Sequence, residues 1–170
     1  MKKAFVLSPL LVALLAHSAV ADETLKFQGG IGVLPVAAGM GQGATATVVT
    51  RNIVRGVQPA GQIWVISALR ADVKVDGRIH VDGRGLLLGG GNQIGFNANA
   101  SVFATLICEG VAPFIQHSTN LAGVPLAVNG DFRIDDVLVP TPPAECASPV
   151  LLIRTSGGGA WFATGIPKFN

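Results

Sequence analysis

The chain has 170 residues, a formal net charge of +2, only 13% charged residues, 22 glycines and no tyrosine. Lys2 and Lys3 precede the first acidic residue, Asp22, so from residue 22 onward ten Lys and Arg stand against ten Asp and Glu, a balance of zero. With neither a basic excess nor a basic cluster, long-range attraction to polyanions is missing, and nucleic acid is excluded as a partner.

In chain order, the first element is a leader. Lys2 and Lys3 open it, an apolar stretch from Ala4 to Ala16 follows, and Ala19-Val20-Ala21 gives the small-x-small pattern of a signal peptidase site. The spacing predicts a signal peptide over residues 1–21, and a chain that begins at Asp22 and carries no further transmembrane segment. The apolar stretch falls short of the roughly 20 residues that span a bilayer. No cysteine near the cleavage point invites a lipid anchor.

Residues 22–170 suffice for one domain with a sizeable core. They show no convincing amphipathic helix. Candidate strands fall over 25–34, 44–54, 62–70, 72–82, 85–88, 101–108, 113–116, 131–139, 150–155 and 160–164. Turn residues separate them, at 58–61, Gly89-Gly90-Gly91-Asn92, Asn129-Gly130 and Gly157-Gly158-Gly159. That rhythm predicts an all-β fold, a single-domain antiparallel β-sandwich with a small closed β-barrel as the alternative. The runs Ile63-Trp64-Val65-Ile66 and Leu151-Leu152-Ile153 are apolar on both strand faces and predict doubly covered strands. An outer-membrane barrel is disfavoured, because such barrels carry aromatic girdles and this chain has no Tyr and two Trp.

The most distinctive local pattern is Val-Asp-Gly-Arg, at Val75–Arg78 and again at Val81–Arg84. A two-residue turn at Asp76-Gly77 would set Val73 opposite His80, mixing apolar and charged residues on one face. The sequence therefore favours one continuous strand over 72–84, with Asp76, Arg78, His80, Asp82 and Arg84 in a row on the exposed side. Such a row is either a solvated face that discourages edge pairing or a polar binding strip, with His80 adding a pH-sensitive charge.

Further along, Cys108 and Cys146 are the two cysteines, and in an oxidising compartment they are expected to pair. That bond would pin the stiff Pro140-Thr141-Pro142-Pro143 connector to the strand ending at Cys108. Asp135-Asp136 is expected to mark a β-bulge, because Phe132 and Ile134 share one parity while Val137 and Val139 take the other. Asp131, Asp135 and Asp136 lack any calcium-loop spacing, so no metal is expected. Asn99-Ala100-Ser101 is formally a glycosylation sequon, and behind a bacterial-type leader no modification is expected there. The glycine runs lack the Lys-Ser/Thr of a phosphate loop, and no cofactor is expected.

Catalytic patterns are thin. There is no Gly-x-Ser-x-Gly elbow, and beyond the leader the histidines are His80 and His117. The sequence predicts an exported protein of the periplasm or cell exterior, acting as a non-catalytic binding or structural component. Low charge and zero balance suit self-association or a protein or glycan partner. The alternative is a secreted hydrolase with its site around His80 and Asp82, or around His117.

Overall fold

A computed structural model describes residues 24–40 and 48–168; the leader lies outside the described residues. Among the described residues thirteen strands follow in order: β1 (Thr24–Gly32), β2 (Val36–Met40), β3 (Val48–Arg51), β4 (Trp64–Val65), β5 (Ala68–Lys74), β6 (Arg78–Arg84), β7 (Leu87–Leu88), β8 (Ser101–Ile107), β9 (His117–Ser118), β10 (Val124–Pro125), β11 (Phe132–Val137), β12 (Val150–Thr155) and β13 (Trp161–Pro167). No helix occurs among the described residues, so none is long and apolar enough to cross a membrane.

The main sheet runs β10-β8-β12-β13-β1-β5-β6-β11, with β9 added on β8. Its pairings are all antiparallel. Its two ends meet. Ser118 in β9 and Val139, just past β11, exchange backbone hydrogen bonds of 3.0 and 2.9 Å. Of the two all-β forms expected, the main sheet thus takes the barrel-like one, nearly closed, which leaves few open strand edges.

Two kinds of wall enclose the core. Along β5 and β6 burial alternates strictly: Leu69, Ala71, Val73, Ile79 and Val81 point inward, while Arg70, Asp72, Lys74, Arg78, His80 and Asp82 point outward. Along β8, β12 and β13 both faces are covered. Val102 through Ile107, Leu151 through Ile153 and Trp161 through Ala163 are all buried, as the apolar run at 151–153 predicts. Part of that cover is the 52–60 segment. Trp161 Nε1 donates to the Asn52 carbonyl at 3.0 Å, and Arg55 donates to the Ile107 carbonyl at 2.9 Å. Trp64, from β4, stacks on Phe162 at 3.9 Å.

The expected disulfide is present, Cys108 to Cys146, with Cα atoms 4.7 Å apart. It ties the proline connector to the end of β8. Asn129-Gly130 forms the expected turn, closed by a Gly130 N–H to Ala127 carbonyl bond of 2.8 Å, with Gly130 at φ 80°.

Three expectations are corrected. The run Ile63-Trp64-Val65-Ile66 is not a doubly covered strand: Trp64 is buried against Phe162, whereas Ile63 and Val65 are exposed. Residues 72–84 are not one strand. They form a hairpin whose three-residue loop, Val75-Asp76-Gly77, joins β5 to β6, with Gly77 at φ 86° and its N–H on the Lys74 carbonyl at 2.9 Å. A two-residue turn would mix apolar and charged partners. The third loop residue shifts the register by one and pairs Val73 with Ile79 and Asp72 with His80, like with like. Nor is there a bulge at Asp135-Asp136. β11 pairs with β6 in unbroken register from Phe132↔Gly83 to Val137↔Arg78. Val137 and Val139 lie outside, exposed by 43% and 69%, and Asp136 takes the inward parity beside Ile134 and Leu138.

Candidate functional site

The hairpin turns the predicted row into a field. Across β1, β5, β6 and β11 the register sets Lys26 beside Asp72, Asp72 beside His80, and His80 beside Asp135. One step along, Gln28, Arg70, Asp82 and Arg133 stand in line. Opposite charges meet across the strands at Lys26 and Asp72, at Arg70 and Asp82, and at Asp82 and Arg133, pairings by which cross-strand neighbours stabilise each other. Of the predicted residues, Arg78, His80, Asp82 and Arg84 share the outer face of β6, whereas Asp76 sits in the loop.

Local pairs neutralise most of these charges. Arg78 Nε donates to Asp76 at 2.7 Å, Arg84 Nε to Asp82 at 3.3 Å, and Arg133 Nε to Asp135 at 3.0 Å. His80 Nδ1 contacts Asp135 rather than Asp82. The His80 hydrogen bond, joined by that of Arg133, holds the Asp135 carboxyl below its ordinary range. The Arg78 backbone N–H, then its side chain, does the same for Asp76.

His117 lies elsewhere. It is buried opposite Leu106, its Nδ1 donating to the Pro140 carbonyl at 2.7 Å, and its Nε2 has no partner. Among the described residues neither imidazole hydrogen-bonds a serine. Asp135 and Asp136 point to opposite faces of β11, which separates them as ligands, and no group of three metal-ligating side chains occurs among the described residues.

A second place emerges on the doubly covered wall, where sequence reasoning saw only a buried strand. Between β8, β12 and the chain leaving β9 lies a cleft of about 790 Å³, lined by Phe103, Ser118, Asn120, Leu121, Val137, Val139 and Arg154 among others. That size falls within the roughly 300–1,000 Å³ of small-molecule sites. Arg154 follows Leu151-Leu152-Ile153 on β12, pairs across the ladder with Phe103, and lays its guanidinium over that ring at 5.1 Å.

Neutral partners hold the guanidinium. Nε donates to the Gly159 carbonyl at 2.6 Å, and Nη1 to Gln116 Oε1 at 2.7 Å and Thr105 Oγ1 at 3.2 Å. Gly159 is required here: its φ is +69°, and a Cβ would stand 2.8 Å from Arg154 Nη2. Burial pushes the Arg154 pKa down, and no carboxylate pairs with it among the described residues. His117 Nε2 is the one buried side-chain nitrogen or oxygen without a hydrogen bond among the described residues, so Arg154 Nη2, unbonded, is not fully buried.

The acidic group of the same cleft is Asp136. Its two oxygens are occupied by the Asn120 N–H and the Val137 N–H, each at 2.8 Å. The arrangement can bind; it presents one cation, exposed apolar rims and no aligned nucleophile and base. The glycine run 157–159, placed three residues after a lone arginine at the end of an apolar strand, is the sequence signal that would have marked it. Compared with known proteins, the chain matches no protein family, no curated protein and no solved structure.

Proposed function

We propose that the protein is an exported, non-catalytic binding component of the periplasm or cell exterior, with its ligand site in the cleft over Arg154. The observation that carries this reading is a half-buried guanidinium held only by neutral groups, in the lining of a ligand-sized cleft. The Cys108–Cys146 bond supports an oxidising destination. The leader at residues 1–21 supports the same route. In this reading the charged field around Arg78, His80, Asp82 and Arg84 is a solvated face, with a contribution to partner contacts at most at its rim. The imidazoles support the hydrolase alternative poorly, since neither His80 nor His117 hydrogen-bonds a serine or other nucleophile among the described residues.

The test is a fluorine-detected fragment screen that includes esters, amides and glycosides. The reading expects reversible binding with fragments recovered unchanged, and resonances of Phe103, Asn120 and Gly159 perturbed. Steady conversion of a fragment, abolished in His80→Ala or in His117→Gln, would replace the binding protein by the hydrolase.

A further inference from the structure

We infer that the cleft takes an organic monoanion, its acidic group on Arg154 and its apolar body along Leu121, Val137 and Val139. The inference rests on the proposed binding role and adds the chemistry of the ligand. Three observations carry it. Arg154 lines the cleft, its Nη2 makes no hydrogen bond, and it has no carboxylate partner among the described residues. A guanidinium so placed favours an anionic group over a neutral one, because charge-assisted hydrogen bonds are the stronger kind. Beside it the Ser156 hydroxyl lines the cleft and is exposed.

The rim is apolar. Leu121, Val137 and Val139 are 61%, 43% and 69% exposed, a run of hydrocarbon next to a cation. Water alone does not reward that pairing, whereas an amphipathic anion covers both parts at once. The single positive charge and the presence of Asp136 in the same cleft set the charge of the ligand. Asp136 has its oxygens tied to backbone N–H groups, but its field still opposes a doubly charged group such as phosphate. One negative charge and a flat apolar body is the chemistry that fits.

The experiment uses two fluorescent probes of the same shape, anilinonaphthalene sulfonate and the neutral phenylnaphthylamine, titrated into the disulfide-bonded protein. Val139 is exposed, so Val139→Lys and Val139→Glu change the field at the rim without disturbing the core. The expected result is one saturable site that binds the sulfonate at least roughly tenfold more tightly than the amine. Both variants remove the same apolar contact, so the charge effect is read in the ratio of sulfonate to amine affinity, which should be roughly threefold to tenfold higher in Val139→Lys than in Val139→Glu. Arg154→Lys should keep part of the preference and Arg154→Gln lose it, near-ultraviolet dichroism confirming that each variant is folded.

Equal binding of both probes, indifferent to these variants, would overturn the monoanion and leave the binding role standing. Tight sulfonate binding unaffected at positions 139 and 154 would place the site elsewhere and overturn the inference. Saturation by neither probe would remove the inference and the proposed cleft together.

Discussion

On the β5–β6–β11 wall Arg78, Arg84 and Arg133 each face a carboxylate and water; on the β8–β12 wall Arg154 has a ring, a carbonyl, a hydroxyl and an amide. The first wall is wet on one side, so its charges are screened, mutually compensated and individually dispensable. The second is covered on both sides up to Arg154, where the cover opens into the cleft. A cation there gives up hydration and gains only neutral partners, and it keeps its capacity for an anion. The difference between a surface charge and a site lies in what the charge has already been given.

The comparison breaks most visibly at the packing that both walls share. Leu106 faces the barrel interior and is 1% exposed, so Leu106→Ala should cost about 2–5 kcal/mol in urea unfolding. A loss as small as that of a surface variant would mean that the barrel has no common core. Next, reducing Cys108–Cys146 opens a loop with a separation of 38 residues. It should cost about 3–4 kcal/mol on the chain-entropy account. Amide exchange should accelerate first at the end of β8 and the proline connector, with β5–β6 amides the slower to respond. Uniform acceleration would contradict the separation of the walls.

Gly83 sharpens the contrast on the wet wall. A Cβ there would meet the Phe132 ring at 2.1 Å, so Gly83→Ala should destabilise by about 1–3 kcal/mol although its strand is otherwise tolerant. Arg78→Ala and Arg84→Ala should each lie within about 0.5 kcal/mol of the parent in thermal unfolding. A loss several times larger would show the field to be a structural network rather than a solvated face.

The smallest effect is in acid. Asp76, Glu109 and Asp135 have carboxyls held below their ordinary values by hydrogen bonds, first among them those from Arg78, Ile115 and His80 respectively. Their folded values lie below the unfolded ones, so their stabilisation is complete above about pH 5 and is lost as pH falls through the lowered values. All three sit at the surface, and the midpoint should shift only slightly across that acid range. Stability rising on acidification would reverse the assigned direction.

The wet wall was largely legible. Alternation over 78–84 placed Arg78, His80, Asp82 and Arg84 on one outer face, and that parity survives in β6. What misled was loop length. A two-residue turn at Asp76-Gly77 sets Val73 against His80, and the third loop residue that restores like-with-like pairing is invisible to a parity argument. The same parity argument demanded a bulge at Asp135-Asp136 because it assumed that Val137 and Val139 must be inside; both are exposed, beside the cleft. Arg154 was hidden by its neighbours, since three apolar residues in series read as a buried strand and say nothing of where the cover stops. Its partners come from β8, the residue before β9 and the loop before β13, and no local pattern links them.

The most direct test is amide chemical-shift mapping of the whole chain during titration with anilinonaphthalene sulfonate. The account predicts shifts confined to the cleft, at Phe103, Asn120, Leu121, Val139 and Gly159, with Arg154 Nε moving in parallel. Shifts centred instead on Arg70, Arg78, His80 and Arg84, with the cleft amides unmoved, would place the binding surface on the wet wall and contradict it.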